Sequence, residues 1–199
     1  MARIAEVRPP ASPASKNQVA RRERILEVAA ELGAEVAYER VQMQEVAKAA
    51  DVALGTLYRY FPSKVHLFAE LWKTHIDGFV EDCWQSPGND PVATVGDQLV
   101  ALTRSLLDRP LLCSAMVRAI AVDYAVNPDY HFRFAEDRLC RAVLHTLGRD
   151  APSHDETGAV RLLAYSWWGV LVSALHRDTP EAQGEEELRL AARLLLIAE

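Results

Sequence analysis

The side chains best equipped for chemistry in this 199-residue chain crowd into one short run, Val41 to Lys64, VQMQEVAKAADVALGTLYRYFPSK. They suit recognition of a polyanion rather than bond making. Arg59 carries the planar donor fork that reads guanine O6 and N7 or grips a backbone phosphate. Tyr58 and Tyr60 end in hydroxyls able to contact phosphate. Thr56 offers a methyl to thymine or a hydroxyl to phosphate, and Gln42 and Gln44 complete the polar set. Lys64, in the first turn of the next helix, adds a cation beside backbone N–H groups that already favour an anion. Ala53, Gly55 and Thr56 are small, as befits an element that must approach a groove closely. Gly55 costs a helix about 1 kcal/mol relative to Ala, a cost that makes sense where backbone lies against another molecule. The competing reading is a helical corner used only for packing, which leaves Gln42, Gln44, Thr56, Arg59 and Lys64 without a task.

Other chemistries find little support. The chain lacks G-x-S-x-G, G-x-G-x-x-G, a P-loop and H-E-x-x-H, so no catalytic role is expected. The six histidines do not cluster and offer no H-x-x-x-H, so neither a metal nor a cofactor is expected. Cys83, Cys113 and Cys140 are odd in number and lack C-x-x-C spacing. They read as reduced core residues of a cytoplasmic protein.

Net charge is −6, which by itself argues against nucleic acid. The distribution argues for it. Residues 1–64 carry a net +2 and the remaining 135 a net −8, with six basic and two acidic side chains among the first 24. A basic front on an acidic body orients a molecule toward a polyanion. The opening segment MARIAEVRPPASPASKNQVA has no continuous apolar stretch, so a secretory signal is not expected. No run reaches about 18 consecutive apolar residues, so no membrane contact is expected either.

The elements that must position these groups are helical. Ile25, Val28, Ala29 and Leu32 recur at helix spacing, with Gly33 placed to end or loosen the first helix. Val46, Ala47 and Ala50 mark a second, and Leu54, Leu57 and Tyr58 a third that ends before Pro62. Ser63 caps a fourth, whose stripe runs Val65, Phe68, Leu71, Trp72, Ile76, Phe79, Cys83. After Pro87-Gly88-Asn89-Asp90-Pro91, helices are expected at about 92–108, 110–126, 129–148, 155–178 and 181–198. The fold class is all-α, with about nine helices.

Two short helices joined by a tight turn have the size of a helix-turn-helix. On those residues the chain resembles the TetR family, whose LYxxFxxKxxL pattern is matched by Leu57, Tyr58, Phe61, Lys64 and Leu67. Asp51 stands where that family commonly has Gly; Asp tolerates the left-handed turn conformation better than most residues. The runs ADVALGTLYRYFPSKVHLF (50–68) and RPLLCSAMVRA (109–119) look like TetR-type repressors of sterol and cholesterol catabolism. The resemblance implies a flexible basic arm at 1–18, a helix-turn-helix DNA-binding domain at 19–64 and a ligand-binding and dimerisation domain at 65–199. It implies a homodimer on a palindromic double-stranded DNA operator, released by an apolar effector, a sterol-derived acyl-CoA.

Within the second domain, Phe79, Trp84, Leu112, Met116, Tyr165 and Trp168 are candidates to line the effector pocket, Tyr124 and Trp167 being further aromatics of that stretch. A stripe at helical spacing equally serves as core. Trp167, Leu171 and Leu175, with Leu188, Ala192 and Leu195 of the last helix, are expected to form a four-helix dimer contact. Arg118 is unusual inside the apolar run SAMVRAIAV and reads either as an ion pair with an acidic neighbour or as a contact to effector phosphate. Arg21, Arg22 and Arg24 read as a solvated face or as phosphate anchors. The alternatives are an efflux or fatty-acid regulator with another apolar ligand, a helical acyl-CoA-binding enzyme, or a protein-binding adaptor.

Overall fold

A computed structural model describes residues 15–84, 88–126, 138–176 and 180–196. Among these residues there are nine helices and no strand. The three of the N-terminal unit are α1 (Lys16–Glu35), α2 (Met43–Ala49) and α3 (Leu54–Tyr60). Next come α4 (Lys64–Asp82), α5 (Pro91–Leu107) and α6 (Pro110–Val126). The chain continues with α7 (Arg138–Thr146), α8 (His154–His176) and α9 (Glu181–Leu196). The expected stretch 129–137 lies outside the described residues.

Local chemistry sets most boundaries. The Ser63 hydroxyl accepts from the His66 N–H at 3.0 Å and opens α4. Asp90 caps α5, with Pro91 in its first turn. Ser153 and Glu156 cap α8 reciprocally: each backbone N–H donates to the other's side chain, at 2.7 and 3.2 Å. α2 ends in a Schellman closure in which the Val52 N–H reaches the Ala47 carbonyl and Asp51 takes φ 52°. Asp51 therefore occupies the left-handed conformation that the sequence required of it. Gly148, at φ 69°, closes α7 the same way.

Gly33 behaves differently from its sequence reading. α1 runs through it to Glu35. A Cβ at Gly33 would stand 2.8 Å from Phe68 Cε1 and 3.1 Å from Leu112 Cδ1. Here glycine lets α1 cross α4 and α6 closely, so it serves packing rather than termination.

The N-terminal unit closes on Ile25, Leu26 and Ala29 of α1, Val46 and Ala47 of α2, and Leu57 and Tyr60 of α3. α4 leaves this unit and packs on α6 and α7, while α8 and α5 pack on α9. α8 is, by length and composition alone, apolar enough to cross a membrane, yet 28% of its most apolar window is buried inside the chain. Its unburied apolar side matters below.

Candidate nucleic-acid interface and effector domain

α3 sorts its residues by depth. Leu57 and Tyr60 face inward, at 0% and 2% exposure, while Ala53, Gly55, Tyr58 and Arg59 face outward and Thr56 is half-buried. A Cβ on Gly55 would meet nothing within 4 Å, so nothing inside the chain demands glycine there. The exposed edge is small at Ala53 and Gly55, polar at Thr56, and bears a phenol and a guanidinium at Tyr58 and Arg59. Gln42 and Gln44 are exposed at the start of α2, beside it in the fold.

Two of the sequence-derived contacts need correction. Tyr60 is core: its hydroxyl is buried without a hydrogen-bond partner, and its ring lies 5.3 Å beneath the Arg59 guanidinium. It steadies Arg59 from below by a cation–π contact. The Lys64 ammonium is turned inward, donating to the carbonyls of Tyr38 at 2.7 Å, Val41 at 3.0 Å and Glu39 at 3.4 Å. It also lies 4.3 Å over the Tyr38 ring. Burial lowers its pKa from the usual lysine value, with Glu39 opposing. Lys64 thus fastens the 36–41 loop rather than facing outward.

Neighbouring arginines are also framework. Arg24 Nε donates to the Ala50 carbonyl at 2.8 Å and pins the end of α2. Arg22 pairs with Glu70 and covers the Phe61 ring. Arg118 pairs with Glu39 at the surface and stands 5.3 Å over Tyr38. Of its two sequence readings, the structure shows the ion pair. Tyr38 and Glu39 were not singled out in the sequence. The only signal pointing to them was that misplaced arginine 79 residues later.

Among the described residues, the six proposed pocket residues line neither described cleft. Leu112 packs at Gly33 on α1, and Met116 is 2% exposed. Phe79 is buried, and the Trp84 indole donates to Thr146 Oγ1 at 2.9 Å. Trp168 lies edge-on to Trp72 at 5.5 Å, and Tyr165 is 47% exposed. An apolar cleft of about 210 Å³ between α5, α7 and α8 is lined by Leu99, Leu139, Val143, Val160 and Leu163. A second, of about 350 Å³, lies between α5, α8 and α9. Neither is lined by the expected residue set.

The expected dimer residues likewise lie inside the chain. Trp167, Leu171, Leu188 and Ala192 are at most 3% exposed, and the Trp167 indole donates to Thr103 Oγ1 at 2.9 Å. Leu175 and Leu195 are half-buried against the same core. These residues hold α8, α9 and α5 together within one chain. Among the described residues, exposed apolar side chains of these helices are Leu162 and Tyr165 on α8 and Leu190 and Leu194 on α9, the last at 71% exposure. Gly169 is exposed on α8, and a Cβ there would meet nothing.

Comparison with known proteins settles the family. Residues 25–71 match the model of bacterial regulatory proteins of the tetR family, and residues 88–195 match the tetracyclin repressor-like C-terminal domain. This chain belongs to the TetR family. It is a transcriptional regulator and not an enzyme. The HTH-type transcriptional repressor KstR of Rhodococcus jostii is 34% identical over 185 residues, covering 92% of this chain and 85% of the relative. A TetR transcriptional regulator from Rhodococcus sp. RHA1 superimposes with a TM-score of 0.81 at 40% identity, covering 93% of this chain and all of that one. FadR of Thermus thermophilus, solved in complex with lauroyl-CoA, gives 0.63 at 23% identity over 88% of this chain and 93% of its own, a likeness of fold.

Proposed function

We propose that this TetR-family protein is a cytoplasmic homodimeric repressor that holds a palindromic operator and releases it when a bulky apolar effector binds. The observation that carries the DNA reading is the α3 edge. Gly55, Tyr58 and Arg59 face out, with Thr56 half-buried among them, over a floor of Leu57 and Tyr60, in a chain of this family. Gln42, Gln44 and Ala53 flank that edge. The dimer reading rests on the apolar side formed by Leu162, Tyr165, Leu190 and Leu194. A two-fold pairing there is self-complementary, and it sets two recognition helices about 34 Å apart on one face of DNA.

The effector reading is a sterol-derived acyl-CoA. It rests on kinship with the KstR repressors of cholesterol catabolism and on the matching runs at 50–68 and 109–119. Both described clefts are lined mainly by apolar side chains, which suits an apolar body. α4 joins the two functions: its 19 residues at about 1.5 Å each make a lever of roughly 30 Å. Reversing a hundredfold preference requires the effector to favour the released state by about 5.5 kcal/mol. Linkage then makes operator DNA weaken effector binding by the same factor.

The test is a gel shift on DNA upstream of the protein's own gene, titrated with sterol acyl-CoA thioesters, free steroids and fatty acyl-CoAs. Release by the sterol thioesters is expected. Release by fatty acyl-CoA alone would replace the sterol reading, and no shift without ligand would remove the repressor reading.

A further inference from the structure

Among the described residues of α4 to α9, two buried side-chain polar atoms have no hydrogen-bond partner: His66 Nδ1, beside Phe61 at the DNA-binding end, and Gln98 Oε1, inside the C-terminal domain. Thr103 and Thr146 donate to carbonyls of their own helices and accept from the indoles of Trp167 and Trp84. Gln98 of α5 is 5% exposed, and its Oε1 is buried with no hydrogen-bond partner. Folded proteins leave few such groups, because each carries the full cost of lost hydration.

The helix phase shows where this acceptor sits. Ser105 follows Gln98 by seven residues, two turns along the same side of α5. That side faces α4, since Ser105 Oγ is 3.0 Å from His75 Nε2. α4 carries Phe79 one turn beyond His75. Leu99, next to Gln98, lines the apolar cleft between α5, α7 and α8. Gln98 lines neither described cleft itself; its unpaired acceptor lies one residue along α5 from the cleft lining at Leu99.

We propose that Gln98 recognises the effector, its Oε1 taking an O–H or N–H donor borne by an otherwise apolar ligand. The proposal rests on the effector-responsive reading above. Two sources carry that chemistry: the pantetheine amides of an acyl-CoA and the hydroxyl of a free sterol. A ketosteroid without a hydroxyl carries neither.

The test is Gln98→Leu, which keeps the volume and removes the amide, in the full-length protein. Without ligand, its thermal midpoint should rise by about 2–4 °C, since an unmatched group has gone. A fall would show that the protein itself satisfies the amide and would overturn the proposal. Operator release is then titrated with a sterol acyl-CoA thioester, a hydroxysterol and a ketosteroid lacking hydroxyls. Gln98→Leu should need about tenfold more of the donor-bearing probe that releases the wild type, with the ketosteroid response unchanged. Loss confined to the thioester assigns the donor to the pantetheine arm; loss confined to the hydroxysterol assigns it to the hydroxyl. Equal loss for the ketosteroid, or no loss for any active probe, overturns the assignment. If no probe releases the wild type, the effector reading falls for these three classes, whereas the thermal midpoint still decides on Gln98.

Discussion

Arg118 of α6 pairs with Glu39, in the loop that enters α2, while its guanidinium covers Tyr38 from 5.3 Å. Lys64 of α4 holds the same ring at 4.3 Å. The loop that enters α2 is therefore gripped by α4 and α6 at once. Both partners of the ion pair are more than half exposed, so the pair itself stabilises little, at most about 1 kcal/mol. Arg118→Ala should leave the unfolding midpoint and the basal operator affinity almost unchanged. It should blunt effector-driven release, with about 0.5–2 kcal/mol of coupling lost. Operator Kd measured with and without a releasing ligand checks this, and an unchanged ratio would count against the latch.

On the DNA side, Tyr58→Ala and Arg59→Ala should each weaken operator binding, by about 1–3 kcal/mol where a base is read. Tyr60→Phe should keep operator affinity and hold or raise stability, because it deletes a buried hydroxyl without a partner. Lys64→Ala should destabilise the fold by about 1–2 kcal/mol through its lost carbonyl contacts, with the salt slope of binding unchanged. A slope lowered by about one unit would instead return Lys64 to the phosphate contacts.

Leu194→Glu or Leu162→Glu places a charge on the uncovered side of α9 or α8 and should yield a folded monomer at micromolar concentration by sedimentation. Leu188→Ala, at a site wholly buried within the chain, should cost about 2–5 kcal/mol of stability instead. A dimer that survives both charged variants would move the interface elsewhere.

Asp51 sits at φ 52° in the closure of α2. Asp51→Gly should stabilise the protein by up to about 1 kcal/mol, and Asp51→Ala should cost a similar amount. Chemical denaturation measures both. Equal midpoints for the two variants would mean the turn does not hold that conformation in solution.

Burial lowers the pKa of His75, with Arg109 adding to it, and of His66, where Glu70 and Asp123 oppose the shift and Arg22 assists it. The unfolded chain therefore takes up protons before the folded one. Stability should be level above about pH 6.5, the unfolded histidine value, and fall as acid drives the pH below it. His75→Gln should flatten part of that fall. Stability that rises on acidification through this window would reverse the sign and refute the argument.

Much of the architecture was legible because breakers and caps separate the helices, notably Pro62 with Ser63 and the run from Pro87 to Pro91. The α3 edge was legible because small and polar types at successive outward positions have few packing uses. Depth was harder to read. Tyr60 and Lys64 look like surface chemistry in sequence, and only the tertiary fold turns one phenol inward and bends one ammonium onto carbonyls. The stripe expected at the dimer contact packs within the chain. α8 is apolar on nearly every side, so periodicity could not tell the stripe facing α9 from the one facing outward. Gln98 drew no notice because a lone polar residue in an amphipathic helix ordinarily faces water.

Three of the four tryptophans share one junction: Trp72 of α4 lies 5.7 Å from Trp167 and 5.5 Å from Trp168 of α8. The fourth, Trp84, is tied to Thr146 at the far end. Any tilt of α4 against α8 must change the ring overlap and the solvent around those three indoles together. The molecule thus carries its own optical gauge. Its native fluorescence, read without a dye or a label, follows the helix that runs from the N-terminal unit into the C-terminal domain.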